Sequence, residues 1–171
     1  MSVSAKTVTG ERADLLETLG KHRFFLRYTA QNLTDEQAAA TPTASALSVG
    51  GLVKHVTAME KQWMGFAVEG AAGMGADDNG EVDWADGFRM TAGETVDGLL
   101  KAYDEVARHT DGLLTTLDLD SAHPLPEAPW FEPGAHWSVR RVVLHLIAET
   151  SQHAGHADII RETIDGQRTM G

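Results

Sequence analysis

Between His145 and Glu162 the chain reads HLIAETSQHAGHADIIRE. Three histidines (His145, His153 and His156) and the carboxylate Glu149 fall within twelve positions. Imidazole nitrogens and carboxylate oxygens bind divalent metals and carry protons near neutral pH. Whether these four do either depends on where they point. On a helix turning about 100° per residue, with Glu149 at zero, His145 lies near about −40°, His153 near about +40° and His156 near about −20°. Val142 and Ile160 share the stripe at about +20°, with Leu146 at about +60° and Ala157 at about +80°. Arg140, Ser151, Asp158 and Glu162 gather on the opposite side, at about 180° to 220°. The His/Glu stripe therefore continues the apolar, inward face. Burying such groups is costly unless they are paired or hold a metal.

Glu149 and His153 are four residues apart, so their side chains leave adjacent turns about 5–6 Å apart at Cβ and can reach one ion. A second inward histidine stands in SVGGLVKHV, where His55 shares a helix face with Leu52, Met59, Trp63 and Phe66, while Lys54 and Lys61 lie on the far side. A lone histidine on an apolar face is ordinarily a hydrogen-bonded core residue. Joined to an inward Glu/His pair on another helix, it would complete a two-histidine, one-carboxylate set with open positions, the shape of a metal site that also binds substrate. His22 and His109 stand alone. His123 and His136 fall in a proline-rich connection, where exposure is the default, although His136 is close enough in sequence to the last helix to approach a site there.

Four long helical patterns must position these groups. The first runs from about Glu11 to Asn32. Thr34 caps a short DEQAAA turn that Pro42 closes. The second begins at the N-cap Ser48 and runs through GGLVKHVTAMEKQWMGFAVEG. Residues 70–90 are rich in Gly and Asp, with Val82, Trp84 and Phe88 as their few core candidates. They read as a long loop, and such loops often lie over sites. A third helix is expected from about Thr91 to Leu117, with a stripe including Val96, Leu99, Leu100, Tyr103 and Leu114. Four prolines between Asp118 and His136 mark an irregular connection. The fourth helix is expected from the N-cap Ser138 to Ile164, with Gly166 as its stop. No hairpin signal appears. These patterns indicate an all-α four-helix bundle with long inter-helix connections. SVGGLVKH and SVRRVVLH share a cap, an apolar pattern and a histidine, but two instances do not establish a repeat.

The 171 residues suit a single domain with a real core. The absence of cysteine excludes disulfides, thiolate nucleophiles and Cys-ligated metals, and a net charge of −11 argues against a nucleic-acid partner. No apolar run is long enough for a membrane span, and the N-terminus lacks the apolar core of a signal peptide, so a cytoplasmic location away from membranes is expected.

With SVGGLVKHV and HLIAETSQHAGHADIIRE in place, the chain resembles the DinB/YfiT-like superfamily of four-helix metalloproteins. It is most similar to the DUF664 branch, which is related to mycothiol-dependent enzymes. The resemblance spans nearly the whole chain, and the fourth-helix motif is its more specific part. It implies a divalent metal, zinc most often, with nickel, iron or manganese served by the same donors. The implied ligands are His55, Glu149 and His153. Many members carry histidine where Glu149 stands; a carboxylate here looks like the mycothiol-dependent maleylpyruvate isomerase type and makes the metal less Lewis-acidic.

The resemblance also implies a low-molecular-weight thiol cosubstrate of the mycothiol type, an electrophilic second substrate and a homodimer. In that scheme a thiolate attacks an electrophilic carbon, in transfer or isomerisation. His156 and His145 are the candidate proton carriers. Arg161 would stand at the rim to meet a carboxylate of the thiol, and Trp63, with Trp84 and Trp137, would wall the pocket. Metal-assisted hydrolysis and a non-catalytic, metal-binding stress-response bundle are the alternatives.

Overall fold

The computed structural model describes residues 8–75 and 86–169. The chain is mostly helical. Its elements are α1 (Glu11–Ala30), α2 (Asp35–Ala39), α3 (Val49–Glu69), α4 (Val96–Leu114), β1 (Ala122–Pro124), β2 (His136–Ser138) and α5 (Val139–Asp165), with short 3-10 turns at Gly70–Met74 and Asp86–Phe88.

The caps explain the boundaries. Ser48 Oγ accepts from Gly51 N, and Ser138 Oγ accepts from Arg141 N, so each serine satisfies an otherwise unpaired donor of α3 or α5. Thr34 and Gln37 form a reciprocal capping box for α2. Gly166, at φ 78°, closes α5 by donating its N–H to Glu162 O. The expected start of α4 at Thr91 moves to Val96. Gly93, at φ 88°, turns the chain there, and the Glu94 carboxylate accepts from Thr91 N, so Thr95 becomes the cap. At the other end α4 stops at Leu114, and residues 115–117 form a turn held by Leu117 N donating to Leu113 O.

α1 and α5 lie side by side and run parallel. Arg140 pairs with Glu11 at one end, and Arg161 donates to Thr29 O and Gln31 O at the other. α3 runs antiparallel to α5, so His55 meets His153 and, two turns on, Trp63 meets His145. Leu19 and Leu26 of α1, Leu52, Val56 and Phe66 of α3, Tyr103 and Leu114 of α4, and Val142, Leu146 and Ala157 of α5 form a shared core. Inside it lies an ion pair. The Arg23 guanidinium meets both oxygens of the fully buried Glu60 and reaches Asp111 at 2.8 Å.

The all-α reading is corrected by the structure in one place, the proline-rich connection, where no hairpin signal is visible in the sequence. β1 pairs antiparallel with β2 in the register Ala122↔Ser138, His123↔Trp137 and Pro124↔His136. Three residues per strand, ending at a proline that cannot donate, leave no alternating pattern to read. The pairing continues into α5 through Val139 N to Ser121 O and Arg140 N to Leu119 O, which fixes the angle at which α5 begins.

Of the loop expected over residues 70–90, the two described ends pack against α3. Gly70–Met74 doubles back on it, and a Cβ on Gly65 would stand 2.0 Å from Gly73 O. The Asp86–Phe88 turn lies on the first turns of α3, where a Cβ on Gly51 would stand 1.9 Å from Phe88 O. Val82 and Trp84 fall outside the described residues. Among the described residues, no helix is long and apolar enough to cross a membrane.

Candidate metal centre

α3 and α5 bring His55, Glu149 and His153 together. One donor atom from each lies within 4.8 Å of the others. His153 is buried, and the other two are half-buried. His153 Nε2 stands 3.5 Å from Glu149 Oε2, and the His55 and His153 rings meet edge to face at 4.9 Å. The other ring nitrogen of His153, Nδ1, is 3.4 Å from His156 Nδ1. The His153 ring is thus held between a carboxylate and a second imidazole, an arrangement that fixes the orientation of a ligating histidine.

Burial disfavours the protonated imidazole at both candidate ligands. At His55 burial acts first and repulsion from His153 second, against partial relief from Glu149, and the pKa falls to about 4. At His153 burial again dominates over the attraction of Glu149 and lowers the pKa. Both rings are therefore neutral near pH 7, with electron pairs free for a metal. Neutral nitrogens and one carboxylate oxygen in reach of a common point fit a divalent ion such as zinc.

The surroundings are aromatic. Phe88 stacks on His55 at 3.9 Å and stands 6.0 Å from His153. Trp63 stacks on Trp137 at 4.7 Å, and both present faces or edges to His145, at 5.0 and 5.2 Å. His145 is half-buried, and its pKa is lowered by burial, with Glu149 opposing and Arg141 adding to the shift. The β1–β2 connection bounds a cavity of about 490 Å³; Phe131 in its lining packs against Trp63 and Trp137.

Of the residues singled out from the sequence, the structure therefore gathers His55, Glu149, His153, His156, His145 and Trp63 on the facing sides of α3 and α5. It does not bring Arg161 to them. Arg161 is buried, and its guanidinium donates to Thr29 O, Gln31 O, Asp165 and Gln167. It lies twelve residues past Glu149, about 18 Å along the helix, and clamps the ends of α1 and α5. His136 stays exposed, with Nδ1 against Gly134 O. Two neighbours were not singled out as site residues from the sequence: Phe88, noted only as a loop core candidate, and Arg141, whose guanidinium lies 4.1 Å from the Trp137 ring centre. Arg141 was legible as the first member of the i, i+4 series Arg141, His145, Glu149, His153.

Fold and cluster together define a helical protein with a candidate His-Glu-His metal centre. The chain belongs to the mycothiol-S-transferase family, whose model matches residues 14–166. A crystal structure of a conserved protein from Enterococcus faecalis is similar in fold, with a TM-score of 0.70 at 16% identity, covering 94% of this chain and 100% of that one. Among curated proteins there is no match.

Proposed function

We propose that the protein is a metal-dependent S-transferase that joins a mycothiol-type thiol to an electrophilic carbon, on a four-helix bundle of the DinB/YfiT-like type. The observation that carries this reading is the convergence of His55, Glu149 and His153 on one point in a chain of this family. The ligands would be His55, Glu149 and His153, with zinc as the metal.

When bound there, a divalent ion supplies positive charge that favours loss of the thiol proton. The transfer then forms a sulfur–carbon bond and expels a leaving group with its bonding electrons, while the thiol proton passes to a base. His145 is suited to take it. Its ring is neutral, lies one turn from Glu149 and sits in the notch between Trp63 and Trp137. If His153 uses Nε2 as its ligand atom, its Nδ1 carries hydrogen and donates to His156 Nδ1. His156 then keeps its own proton on Nε2 and sets the tautomer of His153. Phe88 covers one face of His55, and Trp63 and Trp137 wall His145; such partial burial strengthens the electrostatic effect of nearby charges.

The test is turnover of a haloarene or a bimane with the thiol by metal-loaded protein. Activity that disappears in Glu149→Ala and in His55→Ala supports the reading. Activity that survives both substitutions contradicts it.

A further inference from the structure

The aromatic wall beside the metal centre ends in a cation. Arg141 and Trp63 both lie within 5 Å of the Trp137 ring centre, at 4.1 and 4.7 Å, and the two tryptophan rings are within 20° of parallel. Two groups at such distances from one ring must cover its opposite faces. Arg141, Trp137 and Trp63 therefore form a three-layer stack whose inner layer borders His145.

Arg141 is not consumed by this contact. A guanidinium lying on an aromatic face keeps its N–H donors around its edge. Among the described residues no acceptor or ion-pair partner of the Arg141 side chain is found, although the chain carries a net charge of −11. The adjacent Arg140 shows the contrast, since it is bound to both Glu11 and Asp120. Arg141 is also the third residue of α5, where a positive charge is unfavourable at the positive end of the helix dipole. It is exposed, yet close enough that its charge disfavours a proton on His145.

We infer that Arg141, held over the Trp137 ring, is a specificity-determining residue that seats a carboxylate of the electrophilic substrate. This rests on the transferase reading and names the substrate class within it. The i, i+4 series places Arg141 about 12 Å along the helix from Glu149. The side chain itself is committed to the Trp137 ring, so an elongated organic acid lying past His145 spans that separation. The planar edge of the guanidinium takes a carboxylate in two parallel hydrogen bonds, and the stack restricts the rotamers that would otherwise be lost on binding.

Two measurements test this on metal-loaded protein. The first is calorimetric binding of dinitrobenzoate and of its uncharged amide. The benzoate binds roughly 10- to 100-fold more tightly than the amide, and Arg141→Gln removes the difference. Equal binding of the two, or a preference that survives Arg141→Gln because the carboxylate sits on the metal, overturns the inference. The second is turnover, with the thiol, of a chlorodinitrobenzene and of its ring-carboxylated counterpart. Arg141→Gln lowers the ratio of their kcat/KM values, carboxylate over neutral, by roughly 10- to 100-fold, and the KM of the acid carries the change. An unchanged ratio overturns the inference and leaves the transferase reading intact, and so does a shift confined to the KM of the thiol. Arg141-dependent binding of benzoate with turnover of neither arene keeps the carboxylate seat and overturns the transferase reading.

Discussion

The Phe88 ring lies 3.9 Å from the His55 ring, centre to centre and 20° from parallel. A residue of the connection between α3 and α4 thus covers one face of a candidate metal ligand. Lys54 holds the same segment in place through Glu94 and Arg89 O. Since burial is the leading cause of the low proton affinity of His55, Phe88→Ala should raise the His55 pKa from about 4 toward 6.5. Imidazole titration by NMR in metal-free protein reads this directly. A His55 that still titrates near its original value would show that Phe88 is not its shield.

The close approach of that segment depends on Gly51. A methyl group there meets the Phe88 carbonyl oxygen at 1.9 Å, and backbone cannot move as a side chain can. Gly51→Ala should cost about 1–3 kcal/mol in urea unfolding and raise the His55 pKa as Phe88→Ala does. At Gly50 the obstacle is chiefly the flexible Met90 side chain, so Gly50→Ala should be milder on both counts.

Much of this was legible in the sequence. The inward direction of His55, Glu149 and His153 follows from helical periodicity, because Val142, Leu146 and Ile160 mark which face of α5 is buried. The capping serines 48 and 138 mark where α3 and α5 begin for the same local reason. The role of Arg161 was not legible. Its position on the wheel says nothing about distance along the axis to a partner, and its acceptors are backbone carbonyls of α1 that no pattern announces. The β1–β2 pair and the seat of Phe88 on His55 are contacts between segments that carry no periodicity of their own.

Protons should destabilise the metal-free protein in a defined window. The His55 pKa is depressed on folding, from 6.5 to about 4, and those of His153 and His145 are also lowered. The unfolded chain therefore binds more protons than the folded one in this range, so stability from these groups is complete above about pH 6.5 and falls as pH drops toward 4. Urea midpoints measured across that range should decline, and His55→Gln should flatten part of the slope. A midpoint independent of pH there would contradict the buried, neutral state of these rings.

The buried pair of Arg23 and Glu60 gives a stability prediction separate from the metal. Glu60→Gln leaves the guanidinium in the core with only Asp111 as a charged partner. The expected loss is about 3–5 kcal/mol, read as a lower urea midpoint, with the metal content of the folded protein unchanged. A loss of metal without a loss of stability would mean that Glu60 serves the metal centre instead.

The central claim is that His55, Glu149 and His153 hold one divalent ion. Metal analysis of the purified protein, with zinc titration of the stripped form, tests it most directly. The account predicts stoichiometric metal in the unsubstituted protein and none in the folded variant carrying His55→Ala, Glu149→Ala and His153→Ala together. Stoichiometric metal retained by that triple variant, or failure of the unsubstituted protein to take up zinc, nickel, iron or manganese, would contradict it.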